Sequence, residues 1–128
     1  MIFIDSNVFI YAVGRPHPLR AEARNFFVAS RERSKKPVTS AEVLQELLHA
    51  YLPVGRMATL DAALGLVTRG IDEIFPIEAE SVLHARRLAD RHPALTARDL
   101  LHLAVCQLKK IKELKSFDRG LLDAFRSR

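Results

Sequence analysis

A chain of 128 residues is long enough for one good hydrophobic core and too short for two, so a single domain over residues 1–128 is expected. Its 48% hydrophobic and 27% charged residues are an ordinary globular balance that argues against a low-complexity or disordered chain. The formal charge of +5 favours a polyanionic partner such as nucleic acid, and no uncharged stretch reaches membrane-spanning length.

Residues 2–4 read as a short buried strand, an apolar segment continues to Val13, and Gly14-Arg15-Pro16-His17-Pro18 breaks the chain. From about Leu19 to Arg33 the stripe Ala21, Ala23, Phe26, Phe27 and Ala29 predicts a helix. Pro37 blocks its continuation and a second short strand is expected at Val38-Thr39. Ser40 is suited to cap a helix whose apolar face is Val43, Leu44, Leu47, Leu48 and Tyr51, and Gly55 permits a turn into another helix ending at Gly70. Ile71 to Ile77 reads as a third strand, Glu78 to Arg91 as a helix stopped by His92-Pro93, and Thr96 opens the next helix. Ile111 to Phe117 is the expected fourth strand, and Leu121 to Phe125 a short last helix. Short apolar strands alternating with helices predict a mainly parallel sheet covered on both faces.

In open sheets of this kind ligands bind beyond the carboxyl ends of the strands. Asp5 ends the first apolar run and Asp118 a late one, which places both there. Each also reads as an N-cap for the helix that follows. Asp99 lies three residues after Thr96 and is positioned to close a capping box. Glu46 borders the apolar face of Val43 and Leu47, where a carboxylate wants a partner, either a salt-bridging Arg or Lys or a bound cation. If the four acids converge, only a hard divalent cation neutralises them; Mg²⁺ or Mn²⁺, as one or two ions, takes such oxygen ligands without His or Cys. Ser6, Asn7 and Ser116 lie beside Asp5 and Asp118 and are placed to orient them.

The five histidines show no zinc spacing, and His102 reads as a core-edge residue one turn from Asp99. There is no Gly-rich phosphate loop and no serine nucleophile elbow. The one cysteine, Cys106, makes no internal disulfide, and the apolar start lacks a basic leader; together they give the expectation of a soluble cytoplasmic protein.

Ile-Asp-Ser-Asn-Val at 4–8, Thr-Ser-Ala-Glu-Val-Leu-Gln-Glu-Leu at 39–47, Ala-Arg-Asp-Leu-Leu-His-Leu-Ala at 97–104 and Ser-Phe-Asp at 116–118 together resemble the PIN domain. The likeness is to its small VapC-type toxins of toxin–antitoxin pairs. It implies a three-layer α/β/α fold with four or five strands and an Mg²⁺- or Mn²⁺-dependent endoribonuclease. The implied metal-site acids are Asp5, Glu46, Asp99 and Asp118, with Ser6, Asn7 and Ser116 as accessory polar positions. It further implies RNA as substrate, a homodimer and a VapB-type antitoxin. After Ser-Phe-Asp only Arg119 to Arg128 remains, which puts a fifth strand in doubt. Arg15, Lys115 and Arg119 are candidates for binding flanking phosphates. Two other readings stand beside this one: a PIN-like binding module without catalysis, and a Mg²⁺-dependent phosphoacceptor domain, for which Lys115 beside Ser116 is superficially suited.

Overall fold

The computed structural model describes residues 1–30 and 35–127, Ser30 by its backbone alone. Four short strands, β1 (Ile2–Ile4), β2 (Pro37–Ser40), β3 (Glu73–Phe75) and β4 (Glu113–Lys115), form a parallel sheet in the order β3-β2-β1-β4. Among the described residues the sheet has no fifth strand. Seven helices among the described residues flank it: α1 (Ser6–Val13), α2 (Arg20–Ser30), α3 (Ala41–Tyr51), α4 (Met57–Gly70), α5 (Ala79–Ala89), α6 (Ala97–Leu108) and α7 (Arg119–Arg126). None is long and apolar enough to cross a membrane.

The order of the strands decides where helices go. From β1 to β2 to β3 the chain advances in one direction across the sheet, and the right-handed crossover rule puts α1 to α4 on one face. The return from β3 past β1 to β4 reverses direction, which sends α5 and α6 to the other face. Strand order therefore switches at β1, and the crevice beyond the ends of β1 and β4 is where such a sheet admits a ligand.

β1 is central, and all three of its side chains are buried, with Phe3 and Ile4 fully so. Val8, Phe9, Val38, Val43, Leu47, Leu103 and Val105 pack around them from both layers. Burying each large apolar side chain is worth about 1.5–3 kcal/mol, so this layer fixes the register of the strands that carry the acids. Thr39 reinforces it, its buried Oγ1 donating to the Ile4 carbonyl at 2.8 Å.

The expected elements are present, with local departures. The apolar run up to Val13 is a helix, α1, because Asp5 takes an extended conformation and accepts from the Ser6 N–H as its N-cap. The third and fourth strands are shorter than Ile71–Ile77 and Ile111–Phe117, since only their central residues pair with β2 and β1. The expected helix end at Arg33 lies outside the described residues. Ser40 stands at the N-cap of α3, yet its buried hydroxyl bonds nothing among the described residues, so it caps by backbone conformation alone. Gly55 turns the chain between α3 and α4 at φ 68°, a conformation that glycine adopts at least cost.

Candidate active site

Asp5 leaves the end of β1 with its backbone N–H donating to the Lys115 carbonyl at 3.0 Å, which extends the β1–β4 ladder by one bond. Its side chain is buried and almost completely bonded. Oδ1 accepts from the Ser6 N–H at 2.7 Å, while Oδ2 accepts from Ser116 Oγ at 2.7 Å and Asn7 Nδ2 at 3.3 Å. Asn7 is itself held by the Phe117 N–H, which donates to its Oδ1 at 3.2 Å. Ser116 Oγ in turn accepts from the Asp118 N–H at 3.0 Å. The three polar residues expected to support the acids thus form one network joining β1, α1 and the segment after β4.

Glu46 reaches the same place from α3. Ser6 Oγ donates to its Oε2 at 3.1 Å, and His102 Nε2 bonds its Oε1. His102 Nε2 also lies 3.7 Å from Asp5 Oδ1, so the ring sits between the two acids. Ligand atoms of Asp5, Glu46 and His102 all fall within 4.8 Å of one another. The apolar setting of Glu46 calls for either a cation or a salt-bridging Arg or Lys; its partner is a histidine from another helix.

Asp99 sits in the first turn of α6, where its N–H donates to Thr96 Oγ1 at 3.2 Å. Asp118 caps α7, its Oδ1 accepting from the Leu121 N–H at 3.2 Å. Both are half-buried and line one open cleft of about 590 Å³ with Leu95 and Gly120. Asp5 and Asp118 both act as N-caps, Asp5 with its second oxygen held by Ser116 and Asn7 and Asp118 at the lining of the cleft.

Electrostatics ties the two halves together. Burial pushes the Asp5 carboxyl above its ordinary value, opposed by the His102 charge and the Ser116 bond and reinforced by Glu46. Asp99 is pushed up by burial, then by Asp118, with a further contribution from Asp5. Burial pulls His102 down, yet its bond to Glu46 and the charges of Asp5, Glu46 and Asp99 carry it above its ordinary value. Among the described residues no Lys or Arg pairs with any of the four acids. A buried Asp5 and a half-buried Glu46 with one imidazole between them, and no other counterion among the described residues, are a donor set that fits a divalent cation.

Of the expected phosphate contacts, Arg15 and Arg119 are exposed, in the loop after α1 and at the start of α7. Lys115 is engaged elsewhere: its Nζ pairs with Glu22 at 2.9 Å and lies over the Phe117 ring at 4.9 Å. This pair ties the end of β4 to α2. His102 is the site residue that the sequence undervalues. Its one signal is a position one helical turn after Asp99, on the same face.

Ser116→Ala removes the 2.7 Å bond to Asp5 Oδ2 and the acceptor used by Asn7 and Asp118. We expect binding of Mn²⁺, measured by calorimetry, to weaken roughly 10- to 100-fold, the usual effect of losing such support, with the fold retained.

The PIN domain family model matches residues 2–125. Ribonuclease VapC23 of Mycobacterium tuberculosis is 60% identical over 127 residues, covering 99% of this chain and 100% of the relative. In shape the chain is similar to the crystal structure of M. tuberculosis VapC20, described as a sarcin-ricin-loop-cleaving toxin, with a TM-score of 0.79, 19% identity and coverage of 97% and 95% of the two chains. It is also similar to VapBC2 from Rickettsia felis bound to a promoter DNA fragment, with a TM-score of 0.63, 16% identity and coverage of 92% and 100%. A family match over nearly the whole chain, joined to a full-length relative at 60% identity, places this chain in the PIN domain family, among the VapC-type ribonucleases.

Proposed function

We propose that this chain is a divalent-metal-dependent endoribonuclease, the toxin of a toxin–antitoxin pair, with Asp5, Glu46, Asp99 and Asp118 holding one or two Mg²⁺ or Mn²⁺ ions. The observation that carries this reading is the close cluster of Asp5, Glu46 and His102, with Asp99 near enough to feel the charges of Asp5 and of Asp118 beside it in the open cleft, and with no Lys or Arg among the described residues paired to any of the four acids. When bound, the ion supplies Lewis acidity, lowering the pKa of water and offsetting charge on a phosphodiester.

The chain's own residues supply geometry. Ser6, Asn7 and Ser116 fix both oxygens of Asp5, so this carboxylate enters the reaction already oriented and loses little freedom on binding. Ser6 and His102 together fix Glu46. Asp99 and Asp118 line the open side, where a polynucleotide has access. In this reading Arg15 and Arg119, both exposed, contact flanking phosphates, which positions the strand without reading its sequence.

The Rickettsia relative's name pairs its toxin with a VapB protein, which supports a VapB-type antitoxin as partner here. A homodimer and a cytoplasmic location accompany this reading. Cys106, the only cysteine, is buried, as suits a reducing compartment.

The deciding experiment follows cleavage of a structured RNA by purified protein in EDTA, then with Mg²⁺ or Mn²⁺ restored. Cleavage is expected to vanish in EDTA and return with either ion. Equal cleavage with and without the chelator, or none in either ion, ends this reading.

A further inference from the structure

The excess positive charge of this chain has a second address. A cleft of about 370 Å³ is lined by Arg91, Gln107, Lys110 and Lys112. The three cations are exposed, and among the described residues none of them pairs with a carboxylate. Two acids adjoining them in sequence are already engaged, Asp90 by Arg86 at 3.3 Å and Glu113 by Lys35 at 2.5 Å.

The neutral member of the lining is also a donor. Arg87 NH2 lies 3.1 Å from His84 Nδ1, and a guanidinium only donates, so Nδ1 accepts. The neutral ring then carries its proton on Nε2, which donates to Gln107 Oε1 at 2.8 Å. With its oxygen committed to His84, Gln107 has its amide N–H groups left for the cleft. Every polar group of the lining side chains that remains available is therefore an N–H donor.

Lys110 adds an independent observation. It follows α6 at φ 56°, in the left-handed region, held by its N–H to the Gln107 carbonyl at 3.1 Å and by the Ile111 N–H to the Cys106 carbonyl at 2.8 Å. Glycine meets this requirement at least cost, and a lysine here opposes the backbone preference while bringing an ammonium to the cleft. Asp99 and Gln107 occupy the first and last turns of α6, and Lys112 and Ser116 flank opposite ends of β4. Along either element the cleft and the acids are on the order of 12 Å apart, a span that a polynucleotide backbone covers in a few nucleotides.

We propose that the donor-only cleft of Arg91, Gln107, Lys110 and Lys112 is a second phosphate-backbone site that anchors RNA while another segment of the same molecule lies at the acids. The identity of the polyanion as RNA rests on the ribonuclease reading.

Binding is measured in EDTA, where no cleavage is expected, by fluorescence anisotropy of a long hairpin RNA across a salt series. The double variant Arg91→Gln/Lys112→Gln is expected to bind about tenfold more weakly or worse and to lose about two from the slope of log affinity against log salt, one per phosphate contact. Lys110→Gly is expected to lose about one from that slope, yet to unfold at a higher temperature, because glycine relieves the left-handed backbone. A lysine of purely structural value would move stability and affinity in the same direction. In Mg²⁺, a short single-stranded oligonucleotide that reaches only the acids is cleaved by both variants at the parental rate.

Unchanged hairpin affinity and slope in both variants overturn the proposal and leave the ribonuclease reading intact. So does a loss of affinity confined to a polyglutamate peptide, which would assign the cleft to an acidic protein. If the parent binds the hairpin through these residues and cleaves neither RNA, the cleft stands and the ribonuclease reading falls.

Discussion

Asp5→Asn is expected to lower RNA cleavage by on the order of 10³-fold or more, because a metal-holding carboxylate contributes several kcal/mol of charge stabilisation at the reacting phosphate. The substitution preserves shape. The oxygen of the new amide still accepts from the Ser6 N–H; its nitrogen reverses the Ser116 bond, turning that hydroxyl from donor to acceptor, and the Asn7 bonds to Asp5 and to Ser116 are lost. Each lost bond costs about 1 kcal/mol, and both are offset by removal of a buried charge that lies close to Glu46. In EDTA the variant is therefore expected to unfold at or above the parental temperature. In Mg²⁺ the parent gains stability by mass action and the variant gains little. Single-turnover cleavage and thermal unfolding, each with and without metal, test both halves. Parental cleavage by the variant removes Asp5 from the chemistry, and collapse in EDTA shows that its charge is needed for folding.

The second large effect is expected at His102. Its side chain is 1% exposed and is the sole cationic group against Asp5 and Glu46 among the described residues. Removing one partner from a buried charged set leaves the others uncompensated, at a cost of about 3–5 kcal/mol. His102→Ala is thus expected to destabilise the metal-free protein by about that amount, and much less when saturating Mn²⁺ supplies the missing positive charge. The pH dependence carries the same signature. The folded pKa of His102 is raised above 6.5, so its stabilising contribution is complete below 6.5 and disappears as pH rises through the higher folded value. Asp5 is raised above 3.8, so the native state also holds that proton longer than the unfolded chain, and stability again falls with rising pH. Metal-free protein is therefore expected to be more stable at pH 6 than at pH 8, and His102→Ala to flatten that slope, as read by urea midpoints. A variant as stable as its parent in EDTA, with the same slope, would show that the imidazole does not compensate these acids.

The strand–helix alternation is legible because each element carries its own signal: Ile2 to Ile4 is continuously apolar, Pro37 and Pro93 punctuate, and Thr96 caps. The acids are legible for a different reason, since an Asp at the end of an apolar strand is placed by the sheet. The helix α1 is not, because Val8, Phe9, Ile10 and Tyr11 are β-branched or aromatic and show no helical period over so short a run; the cap at Asp5 and packing against α2 and α4 decide it. His102 reads as a core-edge residue because its partner Glu46 is 56 positions away, and no local pattern joins them. Lys115 reads as free for the same reason, with Glu22 separated from it by 93 positions. The left-handed turn at Lys110 gives no warning, because the sequence offers a lysine where glycine is the usual marker.

The bond from Ser116 to Asp5 joins residues 111 positions apart. A growing polypeptide thus exposes Asp5 early in translation and must wait for β4 to emerge from the ribosome before that carboxylate is oriented. His102 and Asp99 also arrive only after most of the sheet has been made. Assembly of the acidic cluster is therefore a late event of biosynthesis, completed only when the C-terminal fifth of the chain is available.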